Sequence, residues 1–204
     1  RWGLRVEVDE DFAAADVRVT VGLVAPHPWA GFSGGSKLIL PGVSSLDTIV
    51  EHHVRCYRHG RSGVLEGNPF REEIEGAGRL ARVNYSLDLV IDERGEVVFA
   101  SWGEPPSPFR ECVDVASGMY VREVEGPYDL VVAYADPLDV DLYQATKALE
   151  HAAAVAAEGG VIIIGDPELR RVWRFRRGVV EEVTDKWELR EYRSLLREIL
   201  PSLP

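Results

Sequence analysis

The stretch PHPWAGFSGGSK, residues 26–37, sets one histidine, three glycines and one lysine on what reads as a single loop. Exposed backbone N–H groups at a helix start bind anions. The nucleotide pattern G-x-x-x-x-G-K-[ST] is not matched, because Ser36 separates Gly35 from Lys37 and Leu38 follows the lysine. The dinucleotide pattern G-x-G-x-x-G is absent as well. Ser33, Gly34 and Gly35 therefore stay open between a structural loop, a generic anion site and part of a catalytic loop. Pro26 and Pro28 restrict His27 to extended or turn backbone. It sits at a strand end, where α/β sheets present their sites. There it is either a general base working near neutrality or a loop histidine without a role.

His53 follows Lys37 by sixteen residues. The spacing predicts a helix from Ser44 or Ser45 to about Tyr57, with Leu46, Ile49, Val50, His53, Val54 and Tyr57 on one apolar stripe. His52 falls about 100° around the axis from it. An imidazole on that stripe is a hydrogen-bonded core residue or, held rigidly by burial, a metal ligand. Farther along, Gln144 and Lys147 stand one helical turn apart. Asp141 and Gln144 fit a capping box with aspartate in place of Ser or Thr, and Lys147 fits an exposed helix position. The same pair also suits a substrate carboxylate near a positive helix N-terminus.

The elements expected to position these residues alternate. Val17–Val24 reads as a strand entering a buried sheet, and the glycine loop follows it. Gly67-Asn68-Pro69 turns into a helix to about Arg82. Asn84–Ile91 and Glu96–Ser101 form a hairpin around Asp92-Glu93-Arg94-Gly95. The run Gly103–Pro108 marks a boundary, which divides the chain into 1–107 and 108–204. A helix over 108–119, a strand over 128–134, a long helix over 141–158 closed by Gly159-Gly160, and a strand over 161–165 follow. The tail reads as strands over 172–176 and 179–183 and a charged helix over 187–199. The expected class is α/β, with mostly parallel sheets, flanking helices and two α/β lobes.

Composition narrows the function classes. The chain has 204 residues, 46% hydrophobic and 28% charged, which suits a globular protein with a sizeable core. A formal net charge of −11, without a basic patch interleaved with aromatics, argues against nucleic acid as a partner. No apolar run approaches the ~18 residues of a membrane span, and no secretory signal opens the sequence. The two cysteines, Cys56 and Cys112, lie far apart, so neither a disulfide framework nor a zinc cluster is expected, and the cytoplasm is the expected compartment.

His27-Pro28-Trp29-Ala30-Gly31-Phe32-Ser33-Gly34-Gly35-Ser36-Lys37, then Leu40-Pro41-Gly42, then His53, closely resembles the nickel-pincer lactate racemase family. Gly67-Asn68-Pro69 and Asp141-x-Tyr143-Gln144-x-x-Lys147 resemble later family motifs in the same order. The likeness covers about residues 15 to 165. It implies that Lys37 is joined through a thioamide to pyridinium-3,5-bisthiocarboxylic acid mononucleotide, with Ser33, Gly34 and Gly35 lining that cofactor. It implies nickel held by two sulfurs and one carbon of the cofactor, with His53 completing a square-planar site. His27 would be one of two histidines exchanging the hydroxyl proton of a 2-hydroxy acid. Tyr143, Gln144 and Lys147 would position the carboxylate.

The implied activity is racemisation or epimerisation, an isomerase reaction through hydride transfer, in a protein that depends on cofactor-biosynthesis enzymes. The family's second histidine and an acidic-Thr-Arg segment lie upstream of the matched region, so a chain starting at Arg1 is expected to be incomplete. Ser36 replaces the arginine that lactate enzymes commonly carry there. Two other readings stand beside this one: a non-catalytic module binding an anionic small molecule, and a structural fragment that keeps the family fold.

Overall fold

The structure, a computed structural model, describes residues 3–135, 142–165, 172–176 and 179–182. The expected tail helix over 187–199 lies outside the described residues. Two compact units divide the chain between Arg122 and Glu123. This division falls later than the proline-run boundary at 107/108. The helix after that run returns to the first unit, as its packing below shows.

In the first unit, α1 (Glu10–Ala14) is followed by β1 (Val19–Leu23), the short β2 (Pro26–His27) and β3 (Gly31–Phe32), and a 3₁₀ turn over Gly35–Leu38. Then come α2 (Leu46–Cys56), α3 (Pro69–Ala81), β4 (Tyr85–Ile91), β5 (Val97–Gly103) and α4 (Ser107–Tyr120). The sheet order is β1-β4-β5. β1 runs parallel to β4, from Val19 opposite Tyr85 to Leu23 opposite Leu89, whereas β4 and β5 pair antiparallel. A parallel pair needs a long crossover, and that crossover carries the glycine loop, α2 and α3.

β1 alternates, but in the opposite sense to a strand buried through its apolar residues. Val19, Val21 and Leu23 are exposed, whereas Thr20 and Gly22 turn inward. On β4 the inward set is Ser86, Asp88 and Val90. Polar side chains thus face the interior, because the glycine loop and α4 lie there and supply their partners. Val24, Phe32, Val90, Phe109, Cys112, Val113 and Ala116 form the core between sheet and α4. A second cluster, Ala30, Ile39, Leu40, Phe70, Ile74 and Ala77, seats the 3₁₀ turn against α3.

The second unit contains β6 (Tyr128–Tyr134), α5 (Leu142–Ala153), β7 (Ala156–Gly165), β8 (Val172–Arg176) and β9 (Val179–Glu182), with strands in that order. β6 and β7 are parallel; β8 and β9 add antiparallel strands. Ala135, Ala152, Ile162 and Ile164 form its core. The α/β class holds in both units; the three- and four-stranded sheets each combine one parallel pair with antiparallel additions, and the small β2–β3 sheet is antiparallel. The long helix expected to reach Glu158 ends at Ala153. Tyr128 N–H bonds the Val155 carbonyl at 2.9 Å, and Ala156 already pairs with Tyr128, so sheet pairing replaces the last helical turn. Among the described residues, no helix is long and apolar enough to cross a membrane.

Candidate active site

His27 ends β2, a two-residue strand paired with β3 so that His27 lies opposite Gly31. Gly31 has φ +76, and a Cβ there would come within 2.2 Å of the Val64 carbonyl oxygen, so glycine is required for the chain to close this hairpin. At the hairpin tip the amides of Trp29 and Ala30 both donate to His27 Nδ1, each at 3.2 Å. An amide nitrogen can only donate. Nδ1 is therefore the unprotonated nitrogen, and the neutral ring carries its proton on Nε2. Lys37, on the 3₁₀ turn, places Nζ 3.2 Å from that Nε2.

The hairpin is held from α3. Asn68, wholly buried, caps that helix by accepting from the Phe70 and Arg71 amides, and Pro69 fills the first helical position. Its amide group donates to the carbonyls of Trp29, Arg61 and Val64 at 2.8, 3.1 and 2.9 Å. One side chain thus ends a loop, starts a helix and fixes the strip beside His27.

Ser33, Gly34 and Gly35 hold the loop itself. Ser33 Oγ donates to the Leu23 carbonyl at 2.8 Å and accepts from the Ala25 amide at 3.0 Å. Gly34 has φ +78, and a Cβ there would meet Val24 Cγ2 at 2.6 Å. The Gly35 amide donates to Asp88 Oδ1 at 2.9 Å. These contacts tie the loop to β1, to Val24 and to β4.

His53 lies on α2, but not on a buried face. Leu46, Val50 and Val54 of the expected apolar stripe are exposed, and His53 is half-buried. The inward face is Thr48 and His52, one turn apart. The His53 ring donates from Nδ1 to the Ile49 carbonyl at 2.8 Å. That bond leaves Nε2 with the lone pair, the usual arrangement of a metal-binding histidine with its other nitrogen fixed. Trp29 and Phe70 stand edge-on to this ring, with centroids at 5.9 and 5.3 Å. Burial lowers the His53 pKa below 6.5; a charged Lys37 adds to this and the Ile49 bond opposes it. The neutral, ligand-competent ring is favoured.

Two buried charge networks support the site and were not anticipated. His52 Nδ1 lies 2.9 Å from Glu73 Oε2, and its ring packs on Phe70 at 4.2 Å. Its pKa is lowered by burial, against the opposing bond to Glu73. Arg71, 2% exposed, binds Glu75, donates to the Phe32 carbonyl at 3.2 Å and lies 4.0 Å over the Phe109 ring. Ser36, in turn, donates to Glu75 at 3.1 Å. The available signals were an Arg–Glu pair at i, i+4 and an aspartate at an inward position of the apolar run Tyr85–Ile91.

Lys147 is half-buried on α5 of the second unit. Tyr143 and Gln144 belong to the same helix, and their side chains lie outside the described residues. Among the described residues no group of three or more His, Cys, Asp or Glu could hold a metal. His53 alone fits a metal only if a chelator brings the other donors, and its fixed Nδ1 and open Nε2 suit that arrangement.

An α/β unit brings a lysine and a histidine together on a glycine loop, beside a second histidine whose Nδ1 is bonded to the Ile49 carbonyl. Residues 1–64 match the lactate racemase N-terminal domain. The chain is 33% identical over 167 residues to lactate racemase from Thermoanaerobacterium thermosaccharolyticum, covering 79% of this chain and 39% of that protein. It is 30% identical over 161 residues to lactate racemase from Lactiplantibacillus plantarum, covering 74% and 37%. The apoprotein structure of the Thermoanaerobacterium lactate racemase superposes with a TM-score of 0.75 at 32% identity, over 79% of this chain and 40% of that one. A Thermotoga maritima crystal structure shares the fold, with a TM-score of 0.60 at 23% identity over 77% and 41%. Over most of its own length the chain is thus similar to lactate racemases. It spans about two fifths of the length of these relatives.

Proposed function

We propose that this chain forms part of a nickel-dependent 2-hydroxy-acid racemase or epimerase. The supporting observation is His53: Nδ1 is committed to the Ile49 carbonyl, which leaves Nε2 for a metal. Lys37 anchors the nickel-pincer nucleotide and His53 supplies the remaining ligand. When bound, that group accepts a hydride from the substrate C2 and returns it.

The chain's own residues handle protons and position. His27 exchanges the hydroxyl proton at Nε2, the ring atom directed toward Lys37. With Nδ1 held by two amides, the resting ring is neutral with its hydrogen on Nε2; the form that gives a proton to a substrate alkoxide is the imidazolium. Taking a proton at Nε2 requires Nδ1 to carry one and release those amides. Trp29 and Phe70 limit water beside His53. Tyr143, Gln144 and Lys147 hold the substrate carboxylate, where an ammonium on a helix suits an anion.

The test is to produce the protein together with the cofactor-making enzymes and supply single enantiomers of 2-hydroxy acids deuterated at C2. Inversion with deuterium retained at C2 supports the reading. A fully loaded protein that inverts no 2-hydroxy acid refutes it, and inversion with deuterium lost to water refutes the hydride route.

A further inference from the structure

A cavity of about 290 Å³ is bounded by Gly35 and Ser36, by β1 and β4, and by the end of α3. Lys37, His27 and His53 do not line it. Its floor is the inward face of the sheet, where Thr20 pairs across the strands with Ser86. Thr20 is 8% exposed, and among the described residues its hydroxyl has no hydrogen-bond partner. The neighbouring polar groups are matched: Ser86 bonds Asp88, Ser36 donates to Glu75 at 3.1 Å, and Arg71 meets the Glu75 charge. A buried hydroxyl costs free energy until it is paired. The partner that Thr20 lacks has to come from within the cavity.

Two arginines stand at the other end of this space. Arg79 lies in the last turn of α3 and Arg82 caps that helix, and both are exposed. Among the described residues neither guanidinium meets an acidic side chain. Arg82 has φ 51 and ψ 50, the left-handed region in which helices usually end on glycine. A Cβ is disfavoured there, so this arginine is held against its backbone preference at the cavity's edge.

We infer that this cavity binds a small organic phosphate monoester. The two guanidiniums take the phosphate oxygens and balance its charge, and the Thr20 hydroxyl donates to the same group. The organic body lies on Phe109 and Pro106, which supply an apolar wall. The volume is near the lower end of the ~300–1,000 Å³ of small-molecule sites, which suits a phosphate carrying one ring. The site goes beyond the reading of Lys37 and does not depend on it. Because Gly35 and Ser36 form part of the wall, an occupant bears directly on the turn that presents Lys37.

Inorganic phosphate and phenyl phosphate are titrated into the cofactor-free chain by calorimetry at fixed ionic strength. Both should bind saturably, phenyl phosphate several-fold more tightly; no saturable binding, or no gain from the ring, overturns the inference. Arg79→Gln, Arg82→Gln and Thr20→Val should each weaken binding several-fold, with Thr20→Ser close to wild type. Unchanged binding in the double arginine variant overturns the site. Arg82→Gly separates ligand from fold: it relieves the left-handed backbone, so it should raise the thermal midpoint while weakening phosphate binding. Binding retained in Arg82→Gly would contradict the role of the guanidinium. Protein carrying the nucleotide on Lys37 should bind phenyl phosphate as the cofactor-free chain does. Binding lost on loading would assign the cavity to the cofactor's own phosphate and overturn a separate site.

Discussion

The Asp88 carboxylate on β4 accepts the Gly35 amide at 2.9 Å, so a strand fifty-three residues downstream holds the turn that presents Lys37. Removing that acceptor in Asp88→Ala leaves a partly buried amide without it, at a cost of about 1 kcal/mol. Urea unfolding should show a lower midpoint with an unchanged slope. An unchanged midpoint would mean the bond contributes nothing to holding the loop.

Asp88 also sets a pH dependence. Burial raises its pKa above 3.8, with the Gly35 bond, Ser86 and Arg71 opposing. A raised carboxyl contributes stability that is full below 3.8 and lost as pH rises through the folded value. Asp88→Asn keeps a side-chain acceptor without the charge. It should match wild type most closely near pH 3.8 and gain on it as pH rises toward neutrality. A stability difference that stays constant with pH would rule this out.

Asn68 joins a helix cap to the histidine hairpin. Asn68→Ala loses the cap, worth about 1 kcal/mol, and strands three carbonyls that now receive its amide. The loss of stability should exceed that of a cap alone, and Asn68→Asp, which keeps the cap but sets a buried carboxyl against those carbonyls, should also destabilise. If Asn68→Asp equals wild type in thermal unfolding, the amide donors carry no weight.

His52 and Glu73 form a buried pair, with side chains 0% and 7% exposed. Removing the imidazole leaves the desolvated Glu73 carboxylate without that hydrogen bond, at a cost of about 1–3 kcal/mol. His52→Ala should therefore lower the thermal midpoint far more than Val54→Ala on the exposed side of the same helix. Equal effects would contradict the placement of His52 inward.

Cys112 is buried, with its thiol donating to the Asp88 carbonyl at 3.1 Å and its pKa pushed up to about 11 by burial. The thiolate is the reactive form. The peptide bearing Cys112 should stay unalkylated by iodoacetamide at pH 8 until the protein is unfolded. Alkylation in the folded protein would show that this core opens.

Much of this arrangement was legible in residue order. The strand, glycine loop and helix alternation, the Asn68-Pro69 helix start, and the ten-residue step from His27 to Lys37 all correspond to local geometry. Orientation was less legible. Periodicity in Leu46, Val50 and Val54 identifies a stripe, but which stripe packs depends on what α3 presents, and α3 presents Phe70 and Glu73 to His52. β1 misleads for the same reason: its valines face outward because the loop and Asp88 occupy the other side. The contacts of Ser33, Gly34 and Gly35 were hidden because their partners, Leu23, Val24 and Asp88, become neighbours only on folding.

The most direct test of the central claim is peptide mass spectrometry with nickel analysis on protein made beside the cofactor-making enzymes. The account predicts the nucleotide's mass on the peptide containing Lys37 and one nickel per chain. His53→Ala should keep the adduct and lose most of the nickel, and Lys37→Ala should lose the adduct. An adduct elsewhere, an unmodified Lys37 in a nickel-bound protein, or full nickel retention in His53→Ala would contradict it.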